Sequence, residues 1–219
     1  SVPIQNLTID TYSFTVKDNT TGCTSNAATV SITDESSITE WTDSGWSNGE
    51  PDGSKSVVIK SVAVDQPFKS NKPNVVACSL TIDVPDNGPD VEIPSNVTLR
   101  ITNIVKSNGK LVFKSGSSLV QKDNVQNDGD IVYIRATDVR RFDLTYWSSP
   151  IKSTKPEGFR MQDLSPTTLF DKFLYWSSEY KWATNLFGTF PMEVGKGYSI
   201  RGPQEFDNVD GGTFEGNFI

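Results

Sequence analysis

The sequence predicts an all-β protein: the last strands of an immunoglobulin-like sandwich, then a short β-solenoid-like region, then an aromatic-rich β-sandwich-like region. Three observations carry that reading. Val, Thr, Ser, Asn and Phe are common and Leu is sparse, a mix that favours strands and turns over helices. Apolar triplets recur every 20 residues in the middle of the chain. Short alternating runs occupy both ends, "TYSFTV" near the start and "GTFEGNFI" at the finish.

Composition narrows the function before any motif is read. The chain has 219 residues, room for one large or two small domains. Its net charge is −7 and its pI is near 4.7. Nucleic-acid binders need clustered Lys and Arg to displace counterions from phosphate, so nucleic acid is not an expected partner. The same charge opposes docking on an anionic membrane surface. No apolar run approaches the about 20 residues of a spanning helix, so no membrane span is expected. Histidine is absent. That removes Ser-His-Asp and Cys-His nucleophiles, histidine bases and the usual zinc ligands. Cys23 and Cys78 read as small buried hydrophobes; a staple between them, or a partner for Cys23 upstream, are the alternatives.

Residues 1–34 form the first expected unit. In "LTIDTYSFTVKDNTTGCTSNAATVSIT" Tyr12, Phe14 and Val16 alternate with Ser13 and Thr15. An Asp-Asn-Thr-Thr-Gly turn follows, then "AATVSIT" as a further strand. About three strands result, where an immunoglobulin-like sandwich needs about seven. The segment therefore reads as the end of a sandwich that begins upstream. The start "SVPIQNLTID" lacks the regions of a secretion leader. At the other end, "GTFEGNFI" stops inside an alternating pattern, which reads as a truncation as readily as a natural terminus. The polar link "TDESS" at 33–37 separates this unit from the rest.

Residues 36–135 carry the repeat. Val91-Glu92-Ile93, Leu111-Val112-Phe113 and Ile131-Val132-Tyr133 start 20 residues apart. A second series, "NVTLRI" at 96–101 and "GSSLVQ" at 116–121, has the same offset. Val58, Leu80 and Leu99 extend it less regularly. Two short strands per period suit a solenoid whose rungs stack in parallel, since one rung cannot bury its own inner face. A meandering sandwich with regular hairpins is the alternative. The acid-rich loops "DVPDNGPD" at 83–90 and "DNVQNDGD" at 123–130 hold ordinary turn residues. Calcium, which takes 6–8 oxygen ligands, is their alternative reading, with Asp123, Asp128 and Asp130 as candidate ligands. No other cofactor is expected.

Residues 136–219 are rich in rings. In "RRFDLTYWSSP" at 140–150, Phe142, Leu144 and Tyr146 share one face of an expected strand and Arg141, Asp143 and Thr145 the other. The first set is expected in the core, with Arg141 and Asp143 paired outside. A Ser-Pro start in "LSPTTLFDKFL" at 164–174 is compatible with one short helix. Trp147, Trp176 and Trp182 are either core or a platform for sugar stacking; low apolar content favours core. Ring exposure separates the two. "VGKGYSIRGP" at 194–203 lacks the spacing of a phosphate loop and reads as a turn entering a strand. Asn6, Asn19 and Asn96 stand in N-x-T sequons, which indicate surface. The 27 acidic residues could supply a glycosidase pair, but no spacing singles one out, and no enzyme is expected.

Several blocks together resemble the C-terminal regions of large surface proteins of gliding Bacteroidota. "WTDSGWSNGEPDGSKSVVI" at 41–59 resembles the W-x-x-x-x-W-S-x-G-x-P-D opening of that region. "SNGKLVFKSGSSLVQKDNVQNDGDIVYIR" at 107–135 resembles its rung repeats. "RRFDLTYWSSPI", "LSPTTLFDKFLYW" and "VGKGYSIRGP" resemble the blocks that follow. "YSFTVKDNTTGCTSNAATVSIT" is similar to the end of the immunoglobulin-like repeats that precede the region in giant gliding adhesins. The resemblance implies a secreted, cell-surface, non-enzymatic adhesin region that functions in gliding motility or attachment. Its implied partners are the type IX secretion machinery and outer-membrane components, with surface polysaccharide as a further candidate. The alternative function is a carbohydrate-binding module of a secreted glycan-active protein.

Overall fold

The structure, a computed structural model, describes residues 10–32, 37–42, 44–62, 65–153 and 155–218. The chain is all-β, and it divides into two compact units, Ser1–Ser37 and Ile38–Ile219.

In the first unit β1 (Asp10–Phe14) and β2 (Ala28–Ile32) pair antiparallel, with Tyr12 opposite Val30. Their connection is held by Asp18, whose Oδ1 accepts the amides of Thr20 at 2.7 Å and Thr21 at 3.3 Å. Tyr12 and Phe14, two apart on one face, stack at 6.2 Å. The strand expected near Leu7, the Asn6 sequon and most of the 33–37 link lie outside the described residues. Cys23 is exposed rather than buried, and both cysteines are free. The 18–24 turn projects from the hairpin, so no core surrounds Cys23.

The second unit opens with a hairpin, β3 (Ser37–Thr42) and β4 (Gly45–Trp46). Then come β5 (Lys55–Ile59), β6 (Asn74–Ala77), β7 (Ser79–Ile82), β8 (Val91–Ile93) and β9 (Thr98–Ile101). β10 (Val105–Lys106), β11 (Leu111–Phe113), β12 (Ser118–Gln121) and β13 (Ile131–Val139) complete the coils. All their mutual pairings are parallel and fall on three faces. β5, β7 and β10 stack on one, with Val57, Leu80 and Val105 in register. β6, β9 and β12 stack on the second, aligning Val75, Leu99 and Leu119. β8, β11 and β13 stack on the third, aligning Ile93, Phe113 and Tyr133. The expected parallel rungs at 91–93, 111–113 and 131–133 are therefore present. In β5, β7, β8 and β9 alternate residues turn inward and are buried, as period-2 geometry requires; β11 is buried on both faces, and β12 buries none of its residues fully.

The coil has three strands per turn, not two. Leu80 does not align with Leu99: it pairs with Val57 and Val105, while Leu99 lies on another face. The sequence hides this face because its spacing drifts, from 23 residues between Val57 and Leu80 to 25 between Leu80 and Val105. The 91–131 face keeps a constant 20.

The β3–β4 hairpin extends the sheet beyond β5 and covers that edge of the first coil. At the other end β13 runs on past the coil. Its Tyr133–Val139 half pairs antiparallel with β18 (Gly212–Phe218). The junction expected at 135/136 thus falls inside one nine-residue strand, and no boundary separates 36–135 from 136–219. A continuous ladder and a shared core bind the two halves. Between β13 and β18 the chain forms β14 (Leu144–Trp147), a single helical turn α1 (Met161–Leu164), β15 (Phe173–Trp176), β16 (Trp182–Thr184) and β17 (Tyr198–Arg201). The helical turn ends just before the Ser165-Pro166 step where a helix was expected to start. Asp163 instead accepts the Arg160 amide at 2.9 Å and pairs with its guanidinium, fixing the turn's start.

The strand in "RRFDLTYWSSP" begins at Leu144, and its burial is opposite to expectation. Phe142 is 60% exposed and Trp147 only 8%. Residues 140–143 form a turn, with the Asp143 amide bonded to Arg140 O at 3.0 Å. Asp143 pairs with Arg140, not Arg141. Arg141 Nε donates to Phe206 O at 2.9 Å. Phe142 lies 5.0 Å from the Arg201 guanidinium. Phe142→Ala and Arg141→Ala are therefore both expected to cost only about 1 kcal/mol. Thermal melts of the two variants check this. A loss of about 3–5 kcal/mol for Phe142→Ala would return that ring to the core.

Candidate functional site: an exposed aromatic sheet face

β14, β17, β15 and β16 form one antiparallel sheet in that order. Register decides which rings face the solvent. Trp147, Tyr198, Tyr175 and Ala183 align in one row and point inward. Trp147 packs on Phe214 at 4.9 Å and Phe218 at 6.2 Å. Adjacent residues of a strand face opposite ways, so Tyr146, Ser199, Leu174 and Thr184 form an outward row. Trp176 and Trp182 pair directly across β15 and β16 and also face outward.

The outward rings touch. Trp176 and Trp182 meet edge-on, with centroids 5.3 Å apart and planes at 75°. Tyr146 reaches Trp182 at 5.7 Å and 32°. Gly197 permits the crossing: it lies opposite Trp176, whose amide donates to Gly197 O at 2.9 Å, and carries no side chain to hold the rings apart. Beneath them Ser199 is fully buried on the solvent side of its sheet, and its Oγ has no partner. The rings therefore form a closed lid over β17. Tyr146 is 72% exposed, and Trp176 and Trp182 are 40% exposed. Leu144 and Phe142 extend the apolar surface toward Arg201. Contiguous exposed apolar area of this kind marks a contact surface more often than scattered single residues do.

The three candidate tryptophans are thus split. Trp176 and Trp182 stand together on the surface, whereas Trp147 is core. Tyr146, missed by the sequence reading, takes the third place. The signal was available: neighbours in a strand cannot share a face, so of Tyr146 and Trp147 only one could be outward.

The structure does not gather Asp123, Asp128 and Asp130 into a ligand group. Among the described residues no three Asp, Glu, His or Cys side chains converge. The loop's polar groups continue the coil instead. Asn127 Oδ1 accepts the Val105 amide at 3.0 Å and Gln121 Nε2 at 2.9 Å. The Asp128 backbone bonds Val105 O at 3.0 Å and the Ser107 amide at 2.9 Å. Of the sequons, Asn19 and Asn96 are exposed. No helix is long and apolar enough to cross a membrane among the described residues.

Comparison with curated proteins gives no match, and neither does comparison with solved structures. Residues 33–219 match the family model described as a domain of unknown function, DUF8693, and the chain belongs to that family.

Proposed function

We propose that this chain is a non-enzymatic terminal region of a large secreted adhesin, displayed at the cell surface for attachment or gliding and exported by the type IX secretion system. The sequence blocks at 41–59, 107–135, 140–151, 164–176 and 194–203 support the family reading. The observation that carries the attachment role is the Tyr146–Trp182–Trp176 face, an aromatic surface held on a stack of parallel coils. Parallel ladders on three faces make such a stack a stiff support. The face offers groups suited to contact: rings, Leu144 and the partly exposed guanidinium of Arg201.

A carbohydrate-binding module is the second reading, favoured by the same exposed rings. Their planes at 75° and 32° do not make one flat platform. Two rings at an angle fit a bent chain or a sugar edge better than a straight row of stacked units.

The test uses the full-length adhesin in a gliding host. Tyr146→Ala with Trp182→Ala is expected to leave its surface level unchanged and to reduce attachment to polysaccharide-coated glass several-fold. The purified double variant should remain folded and lose about 1–3 kcal/mol with its two ring contacts. Normal attachment at a normal surface level would refute the attachment role. Loss of the protein from the surface would instead assign the face to export.

A further inference from the structure

A concave site lies in the opening motif, which the adhesive face leaves unexplained. Trp41, Trp46, Gly49 and Pro51 line a cavity of about 440 Å³ together with Phe68 of the first coil. That volume lies within the range of small-molecule sites, which are mostly apolar with a few placed polar groups. Trp41 and Trp46 meet edge-on at 5.0 Å, and Trp46 lies 6.2 Å from Phe68. The site is built rather than incidental. Trp41 Nε1 donates to Asp65 O at 3.1 Å, which fixes that ring. Buried Thr39 donates to Gly49 O at 2.7 Å, and Lys55 Nζ donates to Glu50 O at 2.9 Å. The turn carrying Glu50 is therefore held from both sides, with Gly49 at φ +67°.

The lining carries two ammonium groups, Lys69 and Lys72, and one carboxylate, Glu50, in a chain of net charge −7. Lys72 pairs with Glu50, and Lys69 with Asp65, which lies outside the lining. Each ammonium has three donors, so both can accept a second anionic partner without leaving the first. The Trp41–Trp46 pair packs on buried Phe68 and stays partly exposed itself, and the hollow beside the rings has Lys69 and Lys72 in its wall.

We propose that this cavity binds an acidic saccharide, a pyranose ring carrying a carboxylate. The apolar C–H face of the pyranose lies on an indole, whose ring face is electron-rich. Its carboxylate takes charge-assisted hydrogen bonds from Lys69 and Lys72. The site uses none of the residues of the Tyr146–Trp182 face and does not depend on that assignment.

Calorimetric titration of the full chain with short oligogalacturonates and with glucuronate-containing oligosaccharides tests it, with fully methyl-esterified oligogalacturonate as the uncharged counterpart. Saturable binding to at least one acidic oligomer is expected, about tenfold tighter than to the ester. It should weaken with added salt. Lys69→Gln with Lys72→Gln should lose about the same factor while melting like the parent, because both side chains are partly exposed. Tyr146→Ala with Trp182→Ala should bind as the parent does. The proposal is overturned by no saturable binding to either acidic oligomer, by equal affinity for the ester, or by full affinity in the lysine variant. Loss of binding in the Tyr146/Trp182 variant alone would move the site to the other face and overturn it equally.

Discussion

Phe113→Ala is expected to lower the melting temperature by roughly 6–20 °C. Phe113 is fully buried on the inner side of β11. It lies in register with Ile93 on the coil before and Tyr133 on the coil after. Its ring stacks on Tyr133 with centroids 4.7 Å apart and planes 8° from parallel. Removing a buried Phe costs about 3–5 kcal/mol. For a unit of this size each kcal/mol moves the midpoint by about 2–4 °C. The upper half of the range is favoured by the architecture. Neighbouring coils are held about 4.8 Å apart by backbone ladders, so Ile93 and Tyr133 cannot slide together to fill the void. Val120→Ala, on the exposed side of β12, is the control and should shift stability by less than about 1 kcal/mol. Calorimetric melts of the two variants decide the matter. Similar midpoints would mean that the 93–113–133 ladder does not hold the coils together.

That ladder is also the part of the fold most legible in the sequence. Its strands are separated by coils of equal length, so position alone reveals the pairing. The face carrying Leu80 was not legible, because insertions in its turns change the spacing while leaving the strands in register. The extension of β13 past the last coil was hidden for a different reason. "IVYIRATDV" has no turn residue to mark the point where its partner changes from a parallel neighbour to the antiparallel β18. Hydropathy reports that a strand has two faces and not what covers each.

The candidate site shows the same limit. "TYW" and "LYW" read alike, yet Trp147 is inward in one and Trp176 outward in the other. Both faces of the sheet carry rings, so alternation cannot say which is core. The decision comes from Phe214 and Phe218 of β18, which bury Trp147 from a position more than 60 residues away in sequence. The Trp41–Trp46 motif was visible as a motif, but its hollow depends on Phe68 arriving from the first coil.

Gly129→Ala is expected to destabilise the second unit by about 3–5 kcal/mol, far more than Gly195→Ala. Both glycines have left-handed backbones, at φ +76° and +75°. An L-residue there costs about 1 kcal/mol in conformation alone. At Gly195 nothing lies within 4 Å of an added Cβ, so that cost is the whole effect. At Gly129 the same atom would sit 1.8 Å from Ser107 O. The neighbour is backbone, and it cannot turn aside as a flexible side chain would. Relief requires the chain to lift off the third coil. The hydrogen bonds from the Asp128 amide to Val105 O and from the Ser107 amide to Asp128 O would then be lost. Each contributes about 1 kcal/mol, and more where the freed group stays buried. This explains why "DNVQNDGD" has its glycine where it does: the loop closes the fourth coil over Ser107, and only a residue without Cβ passes that close. Chemical denaturation of both variants, with unchanged slope, gives the comparison directly. Equal midpoints would show that the fourth coil does not rest on Ser107, and that the acid-rich loop needs its glycine only for the turn.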